Sequence, residues 1–152
     1  MEKVLFPRRV AYIEAVLIEI LLFFDGSNTA MGVSIYVRNT MRDGKIITRL
    51  LKNKIKLVPS DANTTPRSEL LAALICTRLL NLLQGDLKIF FELFQGEVKI
   101  RAYGDSQVVL AKLSHDNYLF KQWVAIRVSE IQTLIGSIVP RVFSHPWSVE
   151  SC

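Results

Sequence analysis

The stretch from Leu70 to Leu83 is apolar almost all round, and it limits what a chain of 152 residues can build. A helix without a polar side has to be covered over most of its circumference, so the other elements must be arranged around it. Thr65 followed by Pro66 suits an N-cap with proline at the first helical position, and Gly85 is the predicted stop. The length fits one domain. With 50% apolar and 22% charged residues, 7 Gly and 5 Pro, the composition is that of a packed globular chain, which excludes disordered and collagen-like classes.

Strands supply the cover. Ala15 to Phe24 reads as a buried strand and Asp25-Gly26-Ser27-Asn28 as a turn. Met31 to Arg38 is a second strand, and Arg42-Asp43-Gly44 closes a hairpin onto a third, about Lys45 to Leu57. Glu97 to Tyr103 alternates Val98, Ile100 and Ala102 with Lys99, Arg101 and Tyr103, as a half-buried strand should. Ser106 caps a short helix through Leu113, and a longer one runs from about Leu119 to Ile135, with Val124, Val128, Ile131 and Ile135 on one stripe and Gly136 as its stop. Ile138 to Phe143 is a last strand, placed at an edge by Pro140. Residues 85 to 96 form a loop or a helix extension, in which Phe90, Phe91 and Phe94 are core or cover rather than a stacking platform.

The N-terminus begins as a signal peptide would, with Lys3, Arg8 and Arg9 before the apolar run Val10 to Phe24. Glu14 and Glu19 interrupt that run, each costing about 2.5 to 3.5 kcal/mol at a bilayer centre, and no small-residue cleavage site follows. The reading is neither secreted nor membrane-bound. Two cysteines, Cys76 and Cys152, make neither a disulfide framework nor a metal-ligand spacing, which suits a reducing, intracellular compartment.

Charge is uneven. Arg38, Arg42, Lys45, Arg49, Lys52, Lys54 and Lys56 stand against Asp43 alone, a local +6 in a chain whose net charge is +5. Such a run suits a phosphate partner, although lysines along a strand edge also serve simply to block edge-to-edge pairing.

Asp25, Glu69 and Asp105 each sit at an element terminus: the end of the first strand, the first turn of the apolar helix, and the end of the fourth strand. Strand ends and helix starts are where ligand sites collect in α/β sheets. Glu69, flanked by Leu70, Leu71, Ala72 and Ala73, is costly to bury without a cation beside it. Singly, each acid has an ordinary role as turn former or helix-start charge. Together, without His or Cys partners, they fit Mg²⁺, which takes oxygen ligands. Two such ions about 4 Å apart suit phosphodiester hydrolysis.

Several runs resemble the ribonuclease H domain of BEL/Pao-type retrotransposon polyproteins. Phe24-Asp25-Gly26-Ser27, then Ala30, Gly32 and Tyr36, resembles its first strand and turn, with Gly26 in place of the usual alanine. Lys52-Asn53-Lys54-Ile55-Lys56-Leu57-Val58-Pro59 resembles its Lys-x-Arg-Val-Ala-Pro segment, and Pro66-Arg67-Ser68-Glu69-Leu70 with Ala72-Ala73-Leu74 its Pro-Arg-x-Glu-Leu-x-Ala-Ala-Leu helix. Asp105-Ser106 resembles its third acidic position. The most specific likeness is Phe120 to Gln132, close to a Phe-Val-Ala-Asn-Arg-Val-x-Glu-Ile run, with Ile126 in place of Asn.

The resemblance implies an α/β, ribonuclease H-like fold: a five-stranded mixed sheet, strands one to three antiparallel, flanked by helices, over residues 15–152, with 1–14 as an N-terminal connector. It implies Mg²⁺-dependent cleavage of the RNA strand of RNA-DNA hybrids, with two ions (or Mn²⁺) on Asp25, Glu69 and Asp105, and Lys54 and Arg67 on the nucleic-acid backbone. The reverse transcriptase of the same polyprotein is the implied partner, and the cytoplasm or a virus-like particle the implied location. A fourth carboxylate, an Asp in an Asn-Pro-Ala-Asp run, is usual; here Phe143 to Cys152 resembles only the approach to it, and Glu150 does not match its position. Two readings therefore stand: a nuclease whose activity the missing acid would impair, and a remnant that binds nucleic acid and hydrolyses nothing. Spacing excludes three other classes. Position 27 is Ser where proofreading exonucleases have Glu, the acids run Asp, Glu, Asp rather than Asp, Asp, Glu, and Asp25-Gly26-Ser27 is not an aspartic-peptidase triplet.

Overall fold

The computed structural model describes residues 9–62, 64–106, 109, 111, 112 and 121–137. Its elements are β1 (Ala15–Gly26), β2 (Ala30–Met41), β3 (Ile46–Leu57), a 3-10 turn (Ser60–Ala62), α1 (Thr65–Leu93), β4 (Glu97–Tyr103) and α2 (Gln122–Ser137). The sheet order is β3-β2-β1-β4. β1 pairs antiparallel with β2, β2 antiparallel with β3, and β1 parallel with β4, which α1 makes possible by carrying the chain back along the sheet. This is an α/β mixed sheet with flanking helices, and the described residues hold four strands. The fifth predicted strand, Ile138 to Phe143, lies outside the described residues.

Period-two alternation sorts the sheet into two faces. Ile18, Ile20, Leu22 and Phe24 of β1 are in register with Asn39, Val37, Ile35 and Val33 of β2, and all eight are buried. Ile20, Leu22, Phe24, Val33 and Ile35 share a core with Leu70, Ala73, Leu74 and Leu80 of α1, which Val128 and Ile131 of α2 join at 0% exposure, while Ile18 and Val37 pack with Ala15 and Phe94. Burying each large aliphatic chain stabilises the fold by roughly 1.5 to 3 kcal/mol. The alternate residues Glu19, Leu21, Phe23 and Asp25 face the other way. β1 is buried along its α1 face, and on the other face Glu19 is buried while Phe23 and Asp25 are exposed.

The turns follow their residues. Gly44 has φ 85° and donates to the Met41 carbonyl, and the Lys45 amide donates to Asp43 Oδ1 at 3.0 Å, which closes the β2–β3 hairpin. Ser27 organises the β1–β2 turn: its hydroxyl donates to the Ala30 carbonyl and accepts from the Ala30 amide. Asn39, at 0% exposure, donates to the Val10 and Ile47 carbonyls and accepts from the Tyr12 amide, so it fastens residues 10–12 to the sheet.

α1 departs from its predicted limits. The N-cap is Thr64 and Pro66 is the second helical residue, one position later than predicted. The helix also continues through Gly85 to Leu93. A mid-helix glycine costs about 1 kcal/mol, and the packing of Phe91 on the main core and of Phe90 and Phe94 with Ala15, Ile18 and Val37 exceeds that. By length and composition α1 could cross a membrane, yet its stretch from Ser68 to Leu80 is largely core. α2 likewise takes Gly136 into its last turn. Of the helix predicted from Ser106 to Leu113, Val109, Ala111 and Lys112 are described and helical, and Ser106 Oγ accepts from the Val109 amide at 3.3 Å.

Candidate carboxylate site

Asp25 is the penultimate residue of β1, exposed, in register with Gly32, and its Oδ1 accepts from the Gly26 amide at 2.7 Å. Glu69 is the fifth residue of α1, which moves it from the predicted first turn to the start of the second, too far along for a helix-start charge to explain it. It is 9% exposed. Asp105 is exposed and lies two residues beyond β4.

Two glycines bring these positions to one end of the sheet. A Cβ on Gly26 would lie 2.6 Å from the Ser68 carbonyl carbon and 2.7 Å from the Glu69 nitrogen, so the residue after Asp25 rests against the peptide that leads into Glu69. A Cβ on Gly104 would lie 2.5 Å from the Phe24 ring, so the residue before Asp25 touches the residue before Asp105. Thr65 Oγ1 adds a bond to Asn28 Oδ1 at 2.8 Å, holding the start of α1 to the β1–β2 turn. The side chains approach from different layers: Asp25 beside Gly32 on the face away from α1, Glu69 from the helix side.

Among the described residues, no group of three or more His, Cys, Asp or Glu side chains is arranged to hold a metal ion. The donor chemistry nevertheless suits a hard cation. The three carboxylates offer oxygen only, none is in an ion pair among the described residues, and Glu69 is nearly buried. Cys76 offers no alternative chemistry, because burial pushes its thiol up to about 12.

Lys54 is exposed on β3, an edge strand among the described residues, in register with Val33. Arg67 is engaged within the fold: its Nη1 donates to the Asp61 carbonyl at 2.9 Å, and its guanidinium lies 5.2 Å from the Trp123 ring centroid. Arg127 stacks on the same ring at 3.6 Å, and the indole donates to Asp61 Oδ2 at 3.0 Å. That indole bond, helped by the Arg127 and Arg67 charges, holds the Asp61 carboxyl below the usual carboxylate range.

Sequence reasoning missed this cluster, though Trp123 and Arg127 at helical i,i+4 spacing were its available signal. Contacts of α2 account for several residues in the described part of the run from 120 to 132. Val128 and Ile131 are core, Arg127 reaches Trp123 and Asp61, and Glu130 makes a two-pronged bond to Arg78 of α1 at 2.6 and 2.8 Å. Ile126, where asparagine was expected, is 55% exposed and makes no demand on packing. Phe120 lies outside the described residues, as does Glu150.

The mixed sheet, its crossover helix and three acids at one end define an α/β domain of the ribonuclease H-like class. Residues 1–96 match the Pao retrotransposon-like RNaseH-like domain, and the chain belongs to that family. The matched span holds Asp25 and Glu69; Asp105 follows it. No curated protein matches the chain.

Among solved structures the chain is similar to LC11-RNase H1, isolated from compost by a metagenomic approach, at 18% identity and TM-score 0.46, covering 84% of this chain and 83% of that one. It is similar to an N-terminal RNase H domain from Mycobacterium tuberculosis, solved as a fusion with maltose-binding protein, at 14% identity and TM-score 0.47, covering 80% and 76%. For RNase H1 from Halobacterium salinarum NRC-1 the values are 14%, 0.39, 76% and 78%.

Proposed function

We propose that this retrotransposon-derived domain hydrolyses the RNA strand of RNA-DNA hybrids with Mg²⁺ at Asp25, Glu69 and Asp105. The observation that carries the reading is the double contact at the sheet's end, Gly26 on the Ser68–Glu69 peptide and Phe24 on Gly104, which brings the three acid-bearing segments together. Bound Mg²⁺ supplies Lewis acidity to the phosphodiester and charge to offset the developing oxyanion. The chain's own part would be to hold the cation with Asp25, Glu69 and Asp105.

Lys54 and Arg67 contact backbone phosphate in this reading, Arg67 after giving up part of its hold on Asp61. Location inside the cell and association with the reverse transcriptase of the same polyprotein follow from the same reading.

The second reading, a nucleic-acid-binding remnant without hydrolysis, is favoured by the separate layers of Asp25 and Glu69 and by the absence, among the described residues, of a ready three-acid ligand group. Incubation of a labelled RNA-DNA hybrid with Mg²⁺ or Mn²⁺ separates the two. Cleavage that Asp25→Asn abolishes supports the nuclease; equal background in both proteins leaves the remnant. Calorimetric titration with Mn²⁺ tests the ligand set directly, since Glu69→Gln should remove the binding heat.

A further inference from the structure

The face of the sheet turned away from α1 carries an aromatic row. Phe23 of β1 stacks on Tyr103 of β4 with ring centroids 5.0 Å apart and planes 15° from parallel, and takes the edge of Tyr36 of β2 at 5.8 Å. Phe23 is 37% exposed, an unusual position for a phenylalanine in the centre of a sheet. Two steps along the same face, past Leu21, Glu19 is 5% exposed beneath two guanidiniums, Arg101 at 3.0 Å and Arg38 at 3.5 Å. One carboxylate serves two arginines whose side chains are 33% and 41% exposed, so positive charge and free N–H donors remain at the surface.

In the other direction the row leads toward the carboxylate site. Asp25 follows Phe23 by two residues on β1, Asp105 lies two residues beyond Tyr103 and the end of β4, and no heavy atom lies within 4 Å of where a side chain on Gly32, opposite Asp25, would begin. Among the described residues, an arginine–aromatic–carboxylate sequence across one sheet face, with no side chain at Gly32, therefore connects cationic donors to the acids.

We infer that this face is a stacking path for a single-stranded nucleic-acid segment, with a base adding to the Phe23–Tyr103 stack and phosphates meeting Arg38 and Arg101. Exposed aromatics beside cations are what a sequence-tolerant single-strand surface needs. An apolar protein surface would instead have to desolvate two guanidiniums that share one counter-charge. The inference deepens the nuclease reading and rests on it for what the strand does at the acids, but the binding itself does not depend on catalysis.

The test is fluorescence anisotropy of a labelled thymidine oligomer of about 12 nucleotides, titrated with the full chain in EDTA at low salt. Replacing Tyr36→Ser and Tyr103→Ser should weaken binding about fivefold or more, since one lost stacking contact is worth at least about 1 kcal/mol. Tyr36→Phe with Tyr103→Phe should retain it, and Arg38→Gln should lower the salt slope by about one.

Unchanged affinity in the serine double variant overturns the inference. So does a wild-type dimer in sedimentation that the same substitutions dissociate, because a second copy would then occupy the face. Should the serine variant fail to fold, photo-crosslinking of a 4-thiothymidine oligomer to the wild-type chain decides: adducts at Tyr36 or Tyr103 support the path, adducts confined to the lysines of β3 refute it. Binding through the tyrosines without hybrid cleavage sinks the nuclease reading alone, whereas cleavage with tyrosine-independent binding sinks this inference alone.

Discussion

The two faces of the sheet are made from alternate residues of the same strands, yet they do different work. On the covered face, Ile20, Leu22, Val33 and Ile35 are at most 5% exposed and meet α1. On the other face, among the described residues, Phe23, Tyr36, Arg38 and Arg101 are aromatic or charged groups partly in solvent, and the two arginines hold the buried Glu19. The covered face carries stability through packing, which tolerates no loss of volume. The open face carries polar and π-bonded chemistry, which loses less when cut back. A strand of period two separates the tasks without separating the residues in sequence.

The largest expected effect tests the covered side. Ile35→Ala, at a position with 0% exposure, should destabilise by about 2 to 5 kcal/mol in urea unfolding, while Ile55→Ser, at 77% exposure on β3, should stay within about 0.5 kcal/mol. Comparable losses at the two positions would end the distinction. Next comes the join between strand and helix. Gly26→Ala should destabilise by about 1 to 3 kcal/mol, because its Cβ meets backbone at 2.6 Å rather than a side chain able to turn aside. If hydrolysis is real, the same change should lower hybrid cleavage more than it lowers folding, since it pushes Glu69 from Asp25.

On the open face, Glu19→Gln should cost roughly 1 kcal/mol, the net worth of an ordinary hydrogen bond. Thermal melts against Arg101→Gln and the double variant check it: the pair should be less than additive, since both changes break the 3.0 Å contact.

Much of this was legible beforehand. Alternation from Glu97 to Tyr103 assigned each side chain of β4 to its observed face, and the ends of β1 and β4 placed Asp25 and Asp105 at element termini. What was not legible depended on contacts distant in sequence. Glu19 reads only as an interruption of an apolar run, because its partners Arg38 and Arg101 lie on strands that come beside it after folding. Gly85 reads as a stop because a local rule cannot know that Phe90 and Phe94 will be held by Ala15 and Val37. Spacing likewise gives no hint that Gly26 presses on the Ser68–Glu69 peptide.

The smallest effect belongs to the layer that makes the covered face possible, the bond between Arg78 of α1 and Glu130 of α2. The hydrogen bond from Arg78 holds the Glu130 carboxyl below its ordinary value of 4.5, and the Arg78 and Arg127 charges add to this. A carboxyl depressed in the folded state contributes stability above its unfolded value, and the contribution fades as pH falls through the folded one. Both side chains are partly in water, at 53% and 35% exposure, so screening keeps the pair below about 1 kcal/mol. Glu130→Gln should therefore melt slightly below wild type at neutral pH, with the gap closing as pH drops below 4.5. A gap that persists in strong acid would show that Glu130 acts through packing of α2 rather than through charge. The ionic seam between the helices would then contribute nothing, and the covered face would rest on its apolar residues alone.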